Sequence, residues 1–272
     1  MNSTDTLPLP SRAGVAWAAS RREWLGHRLN RFLYAHLALV LVAGSLPLLT
    51  PGDALARGAA WWLLHATLYA VSLSALLLGL SSAQAESDEF VWLLGQPAGI
   101  GPWLGGKSAA LILITGVSSA LLGLPAALLG GASAELALTV AGAAGVAVVC
   151  ALAGLAMGFW IRDHVRGLIA AVAVWFVLLF GVDFLLLALA GAPFMQANPD
   201  LWVAPLMLNP LDAYRVTVLF AVERAAFGAL DAGRLVGWWS ANAATWLALL
   251  TLGWSALALF AAWLGARRRT DG

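Results

Sequence analysis

The chain has 272 residues, 61% of them apolar and 11% charged, against roughly 45–50% apolar and about 25% charged in an ordinary soluble domain. A mean hydropathy of +0.85 is too high for one water-soluble core. Fifteen Lys and Arg against fourteen Asp and Glu leave +1, which excludes the basic excess of a nucleic-acid binder, and the one cysteine, Cys150, excludes a disulfide framework or a thiolate cluster.

In hydrocarbon every backbone amide has to be bonded within its own segment, so a bilayer core of about 30 Å calls for helices of about 20 apolar residues. An element precedes the first of these. Ser20-Arg21-Arg22-Glu23 has the spacing of a capping box, and the segment 15–31 sets Trp24, Leu25 and Leu29 among Arg21, Arg22, Arg28 and Arg31, the pattern of a helix lying on an anionic leaflet. Six spans follow, at 32–49, 59–80, 108–129, 136–161, 167–189 and 241–264. The expected fold is an all-α integral membrane protein with one transmembrane domain over 1–272. Asp183 is the one carboxylate well inside a span. The stripe of Ala143, Ala147 and Ala151, with Gly154 and Gly158 below it, marks the fourth span as a close-contact helix.

Between the second and third spans, Glu86, Asp88 and Glu89 lead into the apolar run Phe90 to Leu94 and then Gly95-Gln96-Pro97, the outline of a short acidic helix with one apolar face. The connection 190–240 is long and of mixed polarity. Within it Asn209-Pro210-Leu211-Asp212 reads as a helix start, with Asn as the cap, Pro in the first position and a carboxylate near the positive end of the dipole. Leu211, Tyr214, Val218, Leu219 and Val222 recur at helical spacing, which predicts an outer-surface helix with one greasy face.

Lys and Arg fix the orientation, because flanks rich in them stay in the cytoplasm. With both termini inside, eleven face inward (Arg12, Arg21, Arg22, Arg28, Arg31, Lys107, Arg162, Arg166, Arg267, Arg268, Arg269) and four outward (Arg57, Arg215, Arg224, Arg234). Trp61, Trp62, Trp103, Trp160, Trp238, Trp239 and Trp263 fall near span ends, where amphipathic rings rest.

Two patterns imitate other functions. Gly101-Pro102-Trp103-Leu104-Gly105-Gly106-Lys107-Ser108 satisfies the phosphate-loop spacing, but that loop leaves a strand in a soluble sheet, whereas here a membrane helix follows. Lys107 is expected to snorkel instead. Ser20 to Leu25, followed by an apolar stretch and Ala54-Leu55-Ala56, imitates a cleavable twin-arginine signal, and the apolar stretch is read as the first span. Chemistry has little foothold. His27, His36, His65 and His164 are scattered, and Met157, Met195 and Met207 are too sparse for a copper pathway. Asp183 reads either as interhelical glue or as the polar lining of an outward vestibule.

Taken together, these features resemble the permease subunits of type-2 ABC exporters: six spans, a preceding interfacial helix, a coupling loop and outer helices before the last span. The coupling pattern appears as Glu86, Leu93-Leu94-Gly95-Gln96-Pro97 and Gly106-Lys107, with Asp88-Glu89 where the family has a small Gly-Thr element. Within that family the chain is most similar to the NosY-like group, the membrane subunits serving nitrous-oxide reductase maturation. Arg21-Arg22-Glu23, Asp183 after Val174-Trp175-Phe176, and Leu208-Asn209-Pro210-Leu211-Asp212-Ala213-Tyr214-Arg215 carry that likeness.

The resemblance implies a homodimer in a bacterial inner membrane, in contact with lipid and not with nucleic acid. Two copies of a cytoplasmic ABC ATPase, holding ATP and Mg, would grip Arg21, Arg22, Glu23, Glu86, Asp88, Glu89, Leu93, Leu94 and Pro97. A periplasmic solenoid-type protein, accepting material for a copper-sulfur centre, would meet Asn209, Pro210, Asp212, Tyr214 and Arg215. The subunit itself is expected to hold no cofactor, to catalyse nothing, and to transmit motion or pass a sulfur species rather than copper. Two other readings suit the same sequence: an exporter of lipid or drug-like molecules, and a scaffold or secondary transporter that works without nucleotide.

Overall fold

The computed structural model describes residues 11–49, 55–85, 99–198, 200–222 and 233–268, and every regular element among them is a helix. Helix α1 (Arg12–His27) starts where Ser11 accepts a hydrogen bond from the Gly14 amide at 3.1 Å. Ser20 to Glu23 therefore lies in mid-helix, and the capping-box reading is corrected: Ser11 already takes the cap, and Glu23 is buried instead of reaching back to an amide. The chain then turns at Asn30, which accepts from the Phe32 amide at 2.9 Å and caps α2 (Arg31–Ser45), extended by a 3-10 turn to Leu49.

Six helical stretches are long and apolar enough to cross a membrane: Arg31–Leu49, Gly58–Gln84, Ile100–Leu129, Ala134–Trp160, His164–Leu189 and Arg234–Arg268. The second comprises α3 (Leu55–Ala66), a π turn at Thr67–Val71 and α4 (Ser72–Gln84). The third runs from α5 (Ile100–Ala120) through a 3-10 turn into α6 (Leu124–Gly130), and the fourth is α7 (Ala134–Trp160). A second π turn, Val177–Gly181, splits the fifth into α8 (His164–Phe176) and α9 (Val182–Leu189). After α10 (Pro193–Ala197), α11 (Asp200–Leu208) and α12 (Pro210–Val222), the sixth is α13 (Gly233–Arg268), kinked at Asn242.

The third span begins at Ile100, eight residues ahead of the sequence-based start, because Gly99 turns the chain at φ 74° and the helix simply absorbs the glycines up to Lys107. The phosphate-loop look-alike is therefore helical throughout.

Helix α7 is the hub, packed against α4, α5 and α13. Its contact with α4 is backbone on backbone. A methyl placed on Gly154 would stand 1.9 Å from the Leu76 carbonyl oxygen, and one on Gly79 would stand 1.8 Å from that of Ala151. Such proximity supplies dispersion contact where lipid gives no hydrophobic push. His36 ties in the first span: its ring nitrogens lie 2.8 Å from Ser74 Oγ and 2.9 Å from Ser118 Oγ, joining α2, α4 and α5.

The largest departure from expectation is the segment before the last span. Helices α11 and α12 form a hairpin whose tip, Asn209-Pro210, lies beside Leu178 in the π turn of the fifth span. Leu178 stands eleven residues before Leu189, so at 1.5 Å per residue the tip reaches roughly 16 Å into the bundle. Pro210, Leu211, Asp212, Ala213 and Tyr214 are all buried. The greasy face seen in the sequence is real, but it packs on protein instead of lying flat, because Gly142 on α7 leaves space that the Tyr214 ring fills.

Gly154→Ala forces these two backbones apart and is expected to cost about 1–3 kcal/mol, as overpacking does. Gly253→Ala, where the methyl meets nothing within 4 Å, leaves stability unchanged or slightly raised. Unfolding of both variants in mixed micelles by denaturant titration measures the difference.

Candidate functional site

Two polar clusters stand at opposite ends of the bundle. At the α1 end, Glu23 is 7% exposed and sits between α4 and α5. Its Oε2 accepts from Lys107 Nζ at 2.5 Å, and its Oε1 accepts from the Ser82 hydroxyl. The same Oε1 lies 2.9 Å from His27 Nε2, one helical turn along α1, a hydrogen bond whenever that nitrogen carries a proton. Lys107 is 1% exposed. The snorkelling expectation is thus corrected: the Lys107 stem points at α1, where a carboxylate repays the desolvation of its ammonium. Helix α1 can bring that carboxylate to Lys107 because Gly106 lets its backbone approach, a methyl there falling 2.0 Å from the Ala16 carbonyl oxygen.

Burial pushes the Glu23 carboxyl up, but contact with His27 and the charge of Lys107 outweigh it and hold the group down at about 2. Around the pair, the Asn30 amide donates to Ser81 Oγ at 3.0 Å, and His164 Nδ1 lies 2.9 Å from Gln84 Oε1. A cavity of about 520 Å³ opens between α1, the start of α2 and the end of α4.

At the other end, Asp183 on α9 accepts two hydrogen bonds from the Arg215 guanidinium, at 3.0 and 2.8 Å. Arg215 also reaches Asp212 at 2.5 Å, and Asp212 accepts from the Asn209 amide at 2.7 Å. That amide bonds the Leu178 carbonyl as well, supplying the donor that a π turn withholds from one of its carbonyls. Asn209 Oδ1 accepts from the Leu211 amide at 3.1 Å, which is the cap its position suggested. Tyr214 donates to the Thr139 carbonyl of α7 at 3.1 Å. Asp183 therefore has a partner that ties the fifth span to the hairpin, while its side chain stays 40% exposed.

The residues expected to act as a docking set part company in the structure. Arg21 and Arg22 are exposed on α1, whereas Glu23 turns inward. Glu86, Asp88, Glu89, Leu93, Leu94 and Pro97 lie outside the described residues. Asn209, Pro210, Asp212 and Tyr214 are buried, and only Arg215 keeps partial exposure. Lys107, Ser82 and His27 escaped the sequence reading as members of one site. The available signal was a lysine on an apolar helix together with an i, i+4 Glu23/His27 pair on a helix otherwise rich in arginine. Among the described residues no group of three or more His, Cys, Asp or Glu comes together to hold a metal.

Removing one member of the buried pair, as in Glu23→Gln or Lys107→Met, strands the other and is expected to cost about 3–5 kcal/mol. Exchanging both together recovers most of it, as a double-mutant cycle on detergent-solubilised protein measures. The depressed carboxyl also sets a direction with pH. Its stabilisation is complete above the ordinary value of 4.5 and is lost as the pH falls from there towards about 2. The melting temperature of the wild type drops across that window, and that of Glu23→Gln drops less.

No family model matches this chain, and no curated protein matches it in sequence.

Proposed function

We propose that this chain is the membrane-spanning permease subunit of an ATP-driven transporter of the type-2 exporter kind, with both termini in the cytoplasm and its ATPase on a separate polypeptide. The observation that carries the reading is the locked α1. A helix outside the six spans is held to the second and third of them by the buried Glu23–Lys107–Ser82 contact. A push on α1 from the cytoplasm therefore moves those spans as one body, which is what coupling to a distant motor requires. The stretch of sequence 86–98, which links the second span to the third, would supply the second contact for that motor.

The sixfold span count and the exposed arginines Arg21 and Arg22 support the same reading. So does the distribution of burial. The windows defining the fifth and sixth spans are only 11% and 17% buried, against 72% for the second, so apolar surface remains for a second copy of the chain. The cargo follows the sequence likeness: a role in assembling the copper-sulfur centre of nitrous-oxide reductase, by transmitted motion or passage of a sulfur species, in the inner membrane of a bacterium. The hairpin tied to Asp183 would report the movement of the fifth span to a periplasmic partner through its exposed end.

Affinity purification of the tagged chain from its native membrane is expected to bring down an ATP-hydrolysing subunit in equal copy number. Glu23→Gln keeps that partner bound but lowers stimulated ATP turnover tenfold or more, and a host lacking the chain makes nitrous-oxide reductase without its copper-sulfur centre. A purified chain that transports or hydrolyses ATP alone sinks the proposal, and stoichiometric copper bound by the spans sinks the sulfur-or-motion reading.

A further inference from the structure

At the end of the first span away from α1, the close of that span and the opening of the second leave a cavity of about 700 Å³, lined by Leu46, Pro47, Gly58, Trp61, Trp62 and His65. The transport reading gives it no task. Its corner is braced, because Trp62 Nε1 donates to the Ala43 carbonyl of α2 at 2.7 Å and fixes the two walls to each other. An apolar hollow of this size with one well-placed polar group has the make-up of a ligand pocket. Of the lining side chains, His65 alone can accept a hydrogen bond.

The imidazole is held in one orientation, stacked between Trp61 and Tyr69 with ring centres 5.8 and 6.1 Å away. Its Nδ1 lies 2.8 Å from the Trp61 carbonyl oxygen. A carbonyl only accepts, so Nδ1 carries the proton, and in the neutral ring Nε2 is left as an acceptor. No described residue donates to Nε2. His65 stands seven residues past Gly58, where the second span opens, about 10 Å along a helix at roughly 1.5 Å per residue. That is one turn below Trp61, which sits where the aromatic belt of a membrane protein rests. Acyl chains at that depth bring no donor, and an acceptor left unmet among them costs free energy.

We infer that this cavity binds the hydroxylated aromatic ring of a molecule dissolved in the bilayer, the chemistry of a quinol. A ring hydroxyl donates to His65 Nε2, the ring lies against the indoles of Trp61 and Trp62 as offset aromatic pairs do, and an apolar tail leaves into the hydrocarbon. A phosphate headgroup would find no Lys or Arg among the lining residues. This inference rests on the spans and the cavity, not on the ATPase reading, and either can fail without the other.

Binding of tritiated decylhydroquinone to the full-length protein in phosphatidylcholine nanodiscs, in the absence of oxygen, tests it. Saturation at one molecule per chain is expected. The dimethyl ether, with the same ring and tail but no donor, binds at least about tenfold more weakly, the effect of one hydrogen bond lost to an otherwise unmet acceptor. His65→Leu weakens the hydroquinone by the same factor and leaves the ether unchanged. Gly58→Leu, where an added methyl meets nothing within 4 Å, takes up the space and weakens both. Uptake that never saturates, or unchanged binding in Gly58→Leu, overturns the cavity as a site. Equal binding of the ether, or of the hydroquinone to His65→Leu, overturns the role of Nε2. Displacement by cholesterol or phosphatidylethanolamine at equal concentration overturns the quinol as occupant. Where His65→Leu does not elute as the wild type, the ether comparison on the unaltered protein decides.

Discussion

A chain surrounded by hydrocarbon gains nothing by pressing one apolar helix against another, since lipid tails are as apolar as leucine. The bundle therefore depends on the approach of α4 and α7, where Gly79, Gly154 and Gly158 let carbonyls and backbone atoms come within van der Waals reach. Everything else hangs from those two helices. Helix α5 packs along α7, α13 packs on its other side, and α1 docks on α5 through Gly106. The first span, with less of its surface buried, relies on His36, whose ring bridges two serines of neighbouring spans. A polar bridge is the stronger choice there, because an imidazole or hydroxyl left alone in lipid costs more than its packing returns.

The same constraint explains where the polar clusters sit. A carboxylate and an ammonium as fully buried as Glu23 and Lys107 survive because each satisfies the other and Ser82 completes the shell. The hairpin of α11 and α12 brings irregular backbone deep into the bundle, which is tolerated only where protein covers it. Trp246 and Trp254 on α13 donate to the Met207 and Leu208 carbonyls at 3.0 and 2.9 Å, so the last carbonyls of α11 are met from one side while Asn209 caps α12 from within. Asp183 and Arg215 close the arrangement at its wider end.

Much of this was written plainly in the sequence. The six spans follow from hydropathy and length, and their ends agree within a few residues except at Ile100, where glycines that look like a loop extend a helix, and at Arg234, seven residues ahead of the expected start, where the last helix begins before its kink at Asn242. The cap at Asn209 was legible because Asn-Pro-x-Asp is a local signal, readable without knowing what surrounds it. The partners were not. Nothing in the residues around Lys107 says that it meets Glu23, because that contact depends on how α1 folds back across α5. Periodicity showed that α12 has an apolar face but not what covers it: a lipid surface and a groove of protein demand the same pattern. Gly142, the position that decides between them, looks like any other small residue of a membrane helix.

The second span joins the two ends physically. Ser82 near its end touches Glu23, Ser72 accepts from Trp175 of α8 at 2.9 Å, and Tyr69 within its π turn packs against Phe180 in the π turn of the fifth span, ring centres 6.5 Å apart. Two widened turns thus lie side by side at the depth where the hairpin tip bonds Leu178. A π turn is held by longer-range hydrogen bonds than the α-helix around it and can return to α geometry by passing one residue along. A displacement imposed on α4 through Glu23 and Lys107 therefore meets, halfway along the bundle, the two π turns at which the second and fifth spans depart from α-helical pitch. In the proposed reading, movement delivered at α1 is converted there into a shift of Asn209 and, through Asp212 and Arg215, of Asp183.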